Sequence, residues 1–292
     1  MIVVTTPTGH IGSQVVKHLL DAGEKVRVVV RDPYKLPQGI LHRVDIVQGS
    51  HGDEGILSRA LEGAESLFWV VPPSFPSSDP AGYYLDFARI ASRASVSRGV
   101  KRVVGVSALG RRSPLESGLV GITLACDAEF ESTGVNYRAL WCPSFMENAL
   151  MQLEPLKQQG AFFLPEQPGL KSPRAATRDI AASGAKLLLD RSWTGQGGLA
   201  VLGPEDLSND DLAAIMTDVL GAPIRFQHVP SDAYKARLMG HGASEAFAQA
   251  LVAMHEAKSN GLDNTEPRNP ENTTPTSFRQ WCEEVLKPAF LA

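Results

Sequence analysis

The chain has 292 residues, 43% hydrophobic and 21% charged, with a formal net charge of −4. That length buries a full α/β core, as one large domain or two small ones. The mild acidity gives no reason to expect nucleic acid, and no apolar run reaches the ~20 residues of a membrane-spanning helix.

Strand and helix patterns alternate through the first half. Residues 2–5 read as a strand and 13–22 as a helix with Val15, Val16, Leu19 and Leu20 on one face, ended by Gly23. Residues 25–30 form a second strand with Val26, Val28 and Val30 on one side, and a third falls at 44–48. A helix at 56–61 precedes a buried strand at 67–71, which Pro72-Pro73 stops. A long helix follows at 83–98, then a strand at 103–107, a helix at 127–132 and a sixth strand at 137–141. This rhythm predicts a doubly wound parallel sheet over residues 1–150, a Rossmann fold whose strands are covered on both faces.

From 151 to 292 the rhythm is irregular, and the segment is expected to form a smaller, mostly helical substrate-binding cap interleaved with the core. Helices are predicted at 179–189, 209–220, 231–258 and 277–286, with a surface loop at 259–276. The three cysteines are scattered and the seven histidines dispersed, so neither a disulfide framework nor a metal site is expected. The strand-like start, without a charged leader, makes the cytoplasm the expected compartment.

Between the first strand and first helix stands Thr5-Thr6-Pro7-Thr8-Gly9-His10-Ile11-Gly12. A dinucleotide fold needs glycine here so that backbone N–H groups approach a pyrophosphate at the helix's positive end. Gly9 and Gly12 meet two positions of that pattern, and Thr6 stands where the first glycine is usual. A plain strand-to-helix connection is the alternative, but the position after the first strand favours the nucleotide. The second strand ends at Val30, followed by Arg31, with Lys35 one turn on. Two cations there suit a 2′-phosphate and hence NADP(H). Asp32 leaves NAD open.

These features, with Val70-Val71-Pro72-Pro73, Val106-Ser107-Ala108 and the stretch from Arg138 to Asn148, resemble the NmrA-like group of atypical short-chain dehydrogenases/reductases. The likeness continues through Thr177-Arg178-Asp179-Ile180-Ala181, Leu202-Gly203-Pro204-Glu205 and Pro275-Thr276-Ser277-Phe278, and so covers nearly the whole chain. It implies that Thr6, Thr8, Gly9, His10, Ile11 and Gly12 embrace the pyrophosphate and that Arg31 and Lys35 meet the 2′-phosphate. Ser50 would lie at the adenine, where relatives often carry an acid. Val71, Pro72 and Pro73 would pass the ribose, Ser107 and Ala108 would sit by the nicotinamide, and Pro143 and Phe145 would close over it.

Short-chain reductases protonate the substrate carbonyl with the tyrosine of a Tyr-x-x-x-Lys pair. The family pattern puts these positions at Leu119 and Thr123, so the pair is absent. One reading is an NADPH-dependent ketone or quinone reductase for a bulky hydroxylated aromatic, polyketide-like substrate of secondary metabolism. The proton would come from water, from the substrate's own hydroxyl or from Ser107, and the 119–124 run would be an apolar wall instead of a catalytic helix. Leu119, Thr123, Asn148 and Met239 are then substrate-side candidates. The other reading is a non-catalytic NADP(H) sensor that signals to a protein partner. The oligomeric state is not legible.

Overall fold

A computed structural model describes residues 1–111 and 116–292. In chain order the first half runs β1 (Ile2–Thr5), α1 (Gly12–Asp21), β2 (Val26–Val30), α2 (Gln38–Leu41), β3 (Asp45–Gln48), α3 (Glu54–Ala60), β4 (Ser66–Trp69), α4 (Pro80–Ser97), β5 (Arg102–Ala108), α5 (Leu119–Ser132) and β6 (Asn136–Cys142). Then come β7 (Ser144–Phe145), α6 (Leu153–Gln159), β8 (Ala161–Leu164), β9 (Ser172–Ala175), α7 (Thr177–Leu189), β10 (Gln196–Ala200), β11 (Asp206–Leu207) and α8 (Asn209–Leu220). The chain ends with β12 (Arg225–His228), α9 (Ser231–Gly240), α10 (Glu245–Ser259), α11 (Phe278–Trp281) and, after a π-helical turn, α12 (Lys287–Leu291).

The main sheet has seven strands in the order β10-β6-β5-β4-β1-β2-β3, each parallel to its neighbours. Alternation along the strands feeds two cores. Val4, Val28, Val30, Phe68 and Val104 face α1 and α7, where they meet Val15, Leu19, Ile180 and Leu188. Val3, Val29, Leu67, Trp69 and Val103 face α3, α4 and α5, where they meet Leu57, Ala88, Ala91 and Phe130. This is the doubly wound Rossmann arrangement, with strands buried on both sides. Two small sheets, β11-β9-β7 and β12-β8, and a third core around Met216, Phe278 and Trp281 make up much of the C-terminal half.

The structure alters several expected elements. The helix expected at 127–132 is the second half of α5, which begins at Leu119 behind Gly118 without a side-chain cap. Lacking that start signal, and apolar nearly all round, its first two turns did not read as a helix. The helix expected at 231–258 is two helices, separated at a turn where Ser244 caps α10 by accepting from the Phe247 amide. The strand β10, Gln-Gly-Gly-Leu-Ala, was hidden by its glycines; Gly198 lies against the Trp141 indole, leaving no room for a side chain.

The expected surface loop at 259–276 is a strap pinned at a few buried residues: Leu262, Asp263 and Thr276 are each under 4% exposed, while Asn260, Asn264, Pro267, Asn269, Pro270 and Glu271 are exposed. Its polar residues bond their own backbone, as where Asn269 accepts from the amides of Glu271 and Asn272, which is why the composition read as loop. Among the described residues no helix is long and apolar enough to cross a membrane. Cys126, Cys142 and Cys282 are all buried, and burial pushes the Cys126 and Cys282 thiols up to about 12.

Candidate active site

The carboxyl ends of β1, β2, β4, β5 and β6 meet along one edge of the sheet, where open α/β folds bind ligands. After β1, Thr6 adopts a left-handed φ of 48°, the conformation for which glycine is usual at that position. The turn closes with Gly9 N–H donating to Thr6 O at 3.0 Å and Ser13 N–H to Gly9 O at 3.1 Å. Gly12 enters α1 so close beneath it that a Cβ would stand 2.2 Å from Thr6 O. A side chain there has no room.

Among the described residues the N–H groups of His10, Ile11 and Gly12 meet no protein acceptor. Three unpaired donors at the positive end of a ten-residue helix fit a pyrophosphate. Thr8 and His10 are exposed beside them.

At the end of β2, Arg31 and Lys35 are exposed, and among the described residues neither is paired with a carboxylate. Asp32 is engaged otherwise: its Oδ1 accepts the Tyr34 amide at 3.1 Å, capping a short 3₁₀ turn. The cations therefore stand unneutralised at the carboxyl end of β2. Ser50 Oγ accepts the Gly52 amide at 3.2 Å. Beside it is a residue that reading the sequence missed. His51 is 6% exposed and packs edge-on to Phe87 at 4.8 Å, with no partner for Nε2. Burial drives its pKa down to about 4, so the ring is neutral at pH 7.

Val71 and Pro72 are half-buried after β4 and Pro73 is exposed; the Tyr83 hydroxyl donates to Pro72 O at 3.2 Å. Further along, the same loop is clamped to the start of α10. The Ser244 amide donates to Phe75 O at 2.9 Å, and the Phe75 ring lies 4.9 Å from Phe247.

The end of β5 carries the most polar chemistry. Ser107, 5% exposed, donates to Asp127 Oδ2 at 2.5 Å, and the Tyr137 hydroxyl donates to Asp127 Oδ1 at 2.6 Å. Gly105 makes this possible, because a Cβ there would be 2.3 Å from the Tyr137 oxygen. Asp127 carries no sequence signal of its own. It became visible only when α5 was packed on the sheet. Ala108 opens instead onto an apolar cluster of Val120, Leu124, Met254, Ala257 and Leu262. Of the 119–124 run, Val120 and Leu124 belong to this cluster, and Leu262 joins it from the segment after α10. Leu119 is half-buried at the helix start, and Thr123 donates to its carbonyl at 2.9 Å.

Pro143 is buried and Phe145 half-buried, where β7 pairs with β9. Asn148 is exposed, whereas its neighbour Glu147 accepts from the Thr177 amide, the Thr177 hydroxyl and the Trp281 indole. Met239 stands 43% exposed on α9. His241 is exposed and bonded to Arg237 O. His255 is buried with Nδ1 2.7 Å from Glu166, which also pairs with Arg174 at 3.5 Å. Burial opposes the charge of Glu166, yet the bond from His255 and the Arg174 guanidinium hold its carboxyl well below the usual range.

Residues 127–283 match the NmrA-like family, and residues 7–122 match the NAD(P)H-binding family. The chain belongs to the NmrA-like family. Among NmrA-like relatives, the (4-alkanoyl-5-oxo-2,5-dihydrofuran-3-yl)methyl phosphate reductase of Streptomyces griseus is 29% identical, over 97% of both chains. The NAD(P)H azoreductase of Xenophilus azovorans is 28% identical, over 87% of this chain and 86% of the relative. The fold also superimposes on an NADPH-dependent quinone oxidoreductase from Escherichia coli solved with NADPH. That match has a TM-score of 0.80 and 22% identity, over 98% of this chain and all of the other. This NmrA-like chain is an NAD(P)H-dependent oxidoreductase, and the crevice described above is where its own residues fit that cofactor.

Proposed function

We propose that the protein is an NADPH-dependent reductase that delivers hydride to the carbonyl of a bulky hydroxylated aromatic ketone or a quinone. The observation that carries this reading is the apolar cluster beside Ala108. Val120, Leu124, Met254 and Leu262 pack there, and Leu119 and Thr123 bring no phenol or ammonium to it. A flat apolar acceptor gains by leaving water for such a surface, at roughly 25 cal/mol per Å² of apolar area buried. In quinones and aromatic ketones with adjacent hydroxyls the reduced oxygen is stabilised within the product, so a donor other than a tyrosine phenol can serve. The furanone, azo and quinone acceptors named for its relatives, electron-poor unsaturated molecules, support the same class.

In this reading the amides of His10, Ile11 and Gly12 hold the pyrophosphate, assisted by Thr6, Thr8 and Gly9. Arg31 and Lys35 select the phosphorylated cofactor, and Ser50 lies at the adenine. Val71, Pro72 and Pro73 border the ribose, while Pro143 and Phe145 keep water from the reacting face. The nicotinamide supplies the hydride. Leu119, Thr123, Asn148 and Met239 are the substrate-side residues in this reading.

The test is NADPH oxidation against hydroxylated anthraquinones, angular polyketides, simple quinones and azo dyes, followed by loss of the reduced cofactor's absorbance. Turnover with an aromatic ketone or quinone supports the reading. Tight NADPH binding with no turnover across the panel overturns it in favour of a redox sensor with a protein partner. Thr123 favours that second reading, since its hydroxyl is spent on its own helix.

A further inference from the structure

The reduced carbonyl oxygen needs a proton, and the family's phenol is missing. We propose that Asp127, acting through Ser107, supplies it. The inference rests on the reductase reading above.

The geometry is directional. Tyr137 occupies Oδ1 of Asp127 at 2.6 Å, so Oδ2, 2.5 Å from Ser107 Oγ, is the oxygen left to exchange a proton. While Asp127 is ionised it accepts from Ser107, and the serine hydrogen points inward. Once Asp127 is protonated on Oδ2, the bond reverses: the carboxyl donates to Ser107 Oγ, and the serine hydrogen turns toward the crevice. Ser107 is the penultimate residue of β5, at the carboxyl edge where the reacting ring belongs.

The step balances. A C–H bond forms at the substrate carbon with the hydride supplied by NADPH, which is oxidised. The carbonyl π bond breaks, and its oxygen takes the proton of Ser107 Oγ. Ser107 takes the proton of Asp127, and the carboxylate regains one from water between turnovers.

The surroundings suit a carboxyl poised between its two forms. Burial raises the Asp127 pKa to about 6, while the bonds from Ser107 and Tyr137 and the charge of Arg111 pull the other way and Glu131 adds to the rise. Arg111 is largely neutralised by Glu131, which it grips at 2.6 and 3.1 Å. Cys126, next to Asp127 in the chain, and Cys142, on the other face of the sheet, are buried neutral thiols. From α4, Arg89 is turned to Glu129 and Tyr84 stays protonated. On α10, His255 and Lys258 are bonded to Glu166 and Asp263. Gly105 keeps Tyr137 in place, so the arrangement is built by the strand itself.

The experiment has two arms. In the cofactor-free protein, the infrared band of a protonated carboxyl, identified by its loss in Asp127→Asn, is expected to titrate near pH 6. Tyr137→Phe removes a bond to the ionised form and moves that titration to higher pH. With the acceptor found by turnover, kcat is expected to fall about tenfold per pH unit above the same inflection. Tyr137→Phe shifts the kinetic inflection by the same amount. Ser107→Ala lowers kcat on the order of 10- to 100-fold, leaves KM nearly unchanged and abolishes the inflection, whereas Ser107→Thr retains it.

Wild-type turnover and an unaltered pH profile in Ser107→Ala overturn the relay and leave the reductase reading standing. So does an infrared shift in Tyr137→Phe that kcat does not follow. Absence of turnover with every acceptor overturns the reductase reading and the relay with it. Should Asp127→Asn fail to fold, the Tyr137→Phe and Ser107→Thr profiles still decide.

Discussion

The two ends of the crevice are built by different means. At the phosphate end the work is done by backbone, within seven consecutive residues: a left-handed Thr6, a glycine pressed under it, and three amides left without acceptors. Beside Ala108 the surface is built by side chains brought from afar. Ala108, Val120, Met254 and Leu262 come from β5, α5, α10 and the strap that follows, and buried ion pairs pin the C-terminal half. A backbone turn is set by local conformation and tolerates little change. A side-chain cluster can be re-lined residue by residue, which suits a fold that hosts many functions.

The largest expected effect tests whether the cap can be loosened without disturbing the phosphate end. Glu166→Ala leaves Arg174 buried without its partner and is expected to destabilise the protein by about 3–5 kcal/mol in urea unfolding. The dissociation constant for NADPH, measured by fluorescence titration in folded protein, should stay within about threefold. A large loss of cofactor affinity would break the division between the two ends. The pH dependence has a fixed sign. Because the folded-state pKa of Glu166 is depressed, its contribution is complete above its unfolded value near 4.5 and fades as pH falls toward the depressed value. Wild type should therefore lose stability on acidification faster than Glu166→Gln.

Arg31→Ala sharpens the phosphate end. It is expected to weaken NADPH by about 1.5–3 kcal/mol, the value of a charged hydrogen bond, and to spare NADH. Equal losses for the two cofactors, measured side by side, would remove the 2′-phosphate assignment. Thr6→Gly should do least. It relieves a left-handed β-branched residue and is expected to stabilise the fold by about 0.5–1 kcal/mol, with NADPH affinity little changed. A destabilised Thr6→Gly would mean that the threonine side chain, and not the turn's geometry, is what holds the loop.

How much of this was legible follows the same division. Strands such as Phe68-Trp69 announce themselves because burial on both faces forces a continuous apolar run, and α1 because its apolar residues recur at helical spacing. The glycine-pinned turn after β1 was readable because its conformation is set by its immediate neighbours. Asp127 was not: its meaning comes from Ser107, 20 residues away and on another element. His255 and Glu166 are 89 residues apart, and either alone looks like an ordinary surface charge. Leu262 was obscured by the polar residues around it, which satisfy their own backbone and so mimic a solvated loop. The absent Tyr-x-x-x-Lys pair was plain from the letters, and the network that we propose in its place needed three dimensions.

The buried cysteines carry a last consequence. Quinones are soft electrophiles that alkylate thiolates, and a thiol responds only to the extent that it is ionised and reachable. With Cys126 and Cys282 held near 12, Cys142 pushed up still further, and all three covered, the protein offers such a molecule almost nothing to attack. Under the proposed quinone or aromatic-ketone reading, the core of the fold would thus resist inactivation by the acceptor.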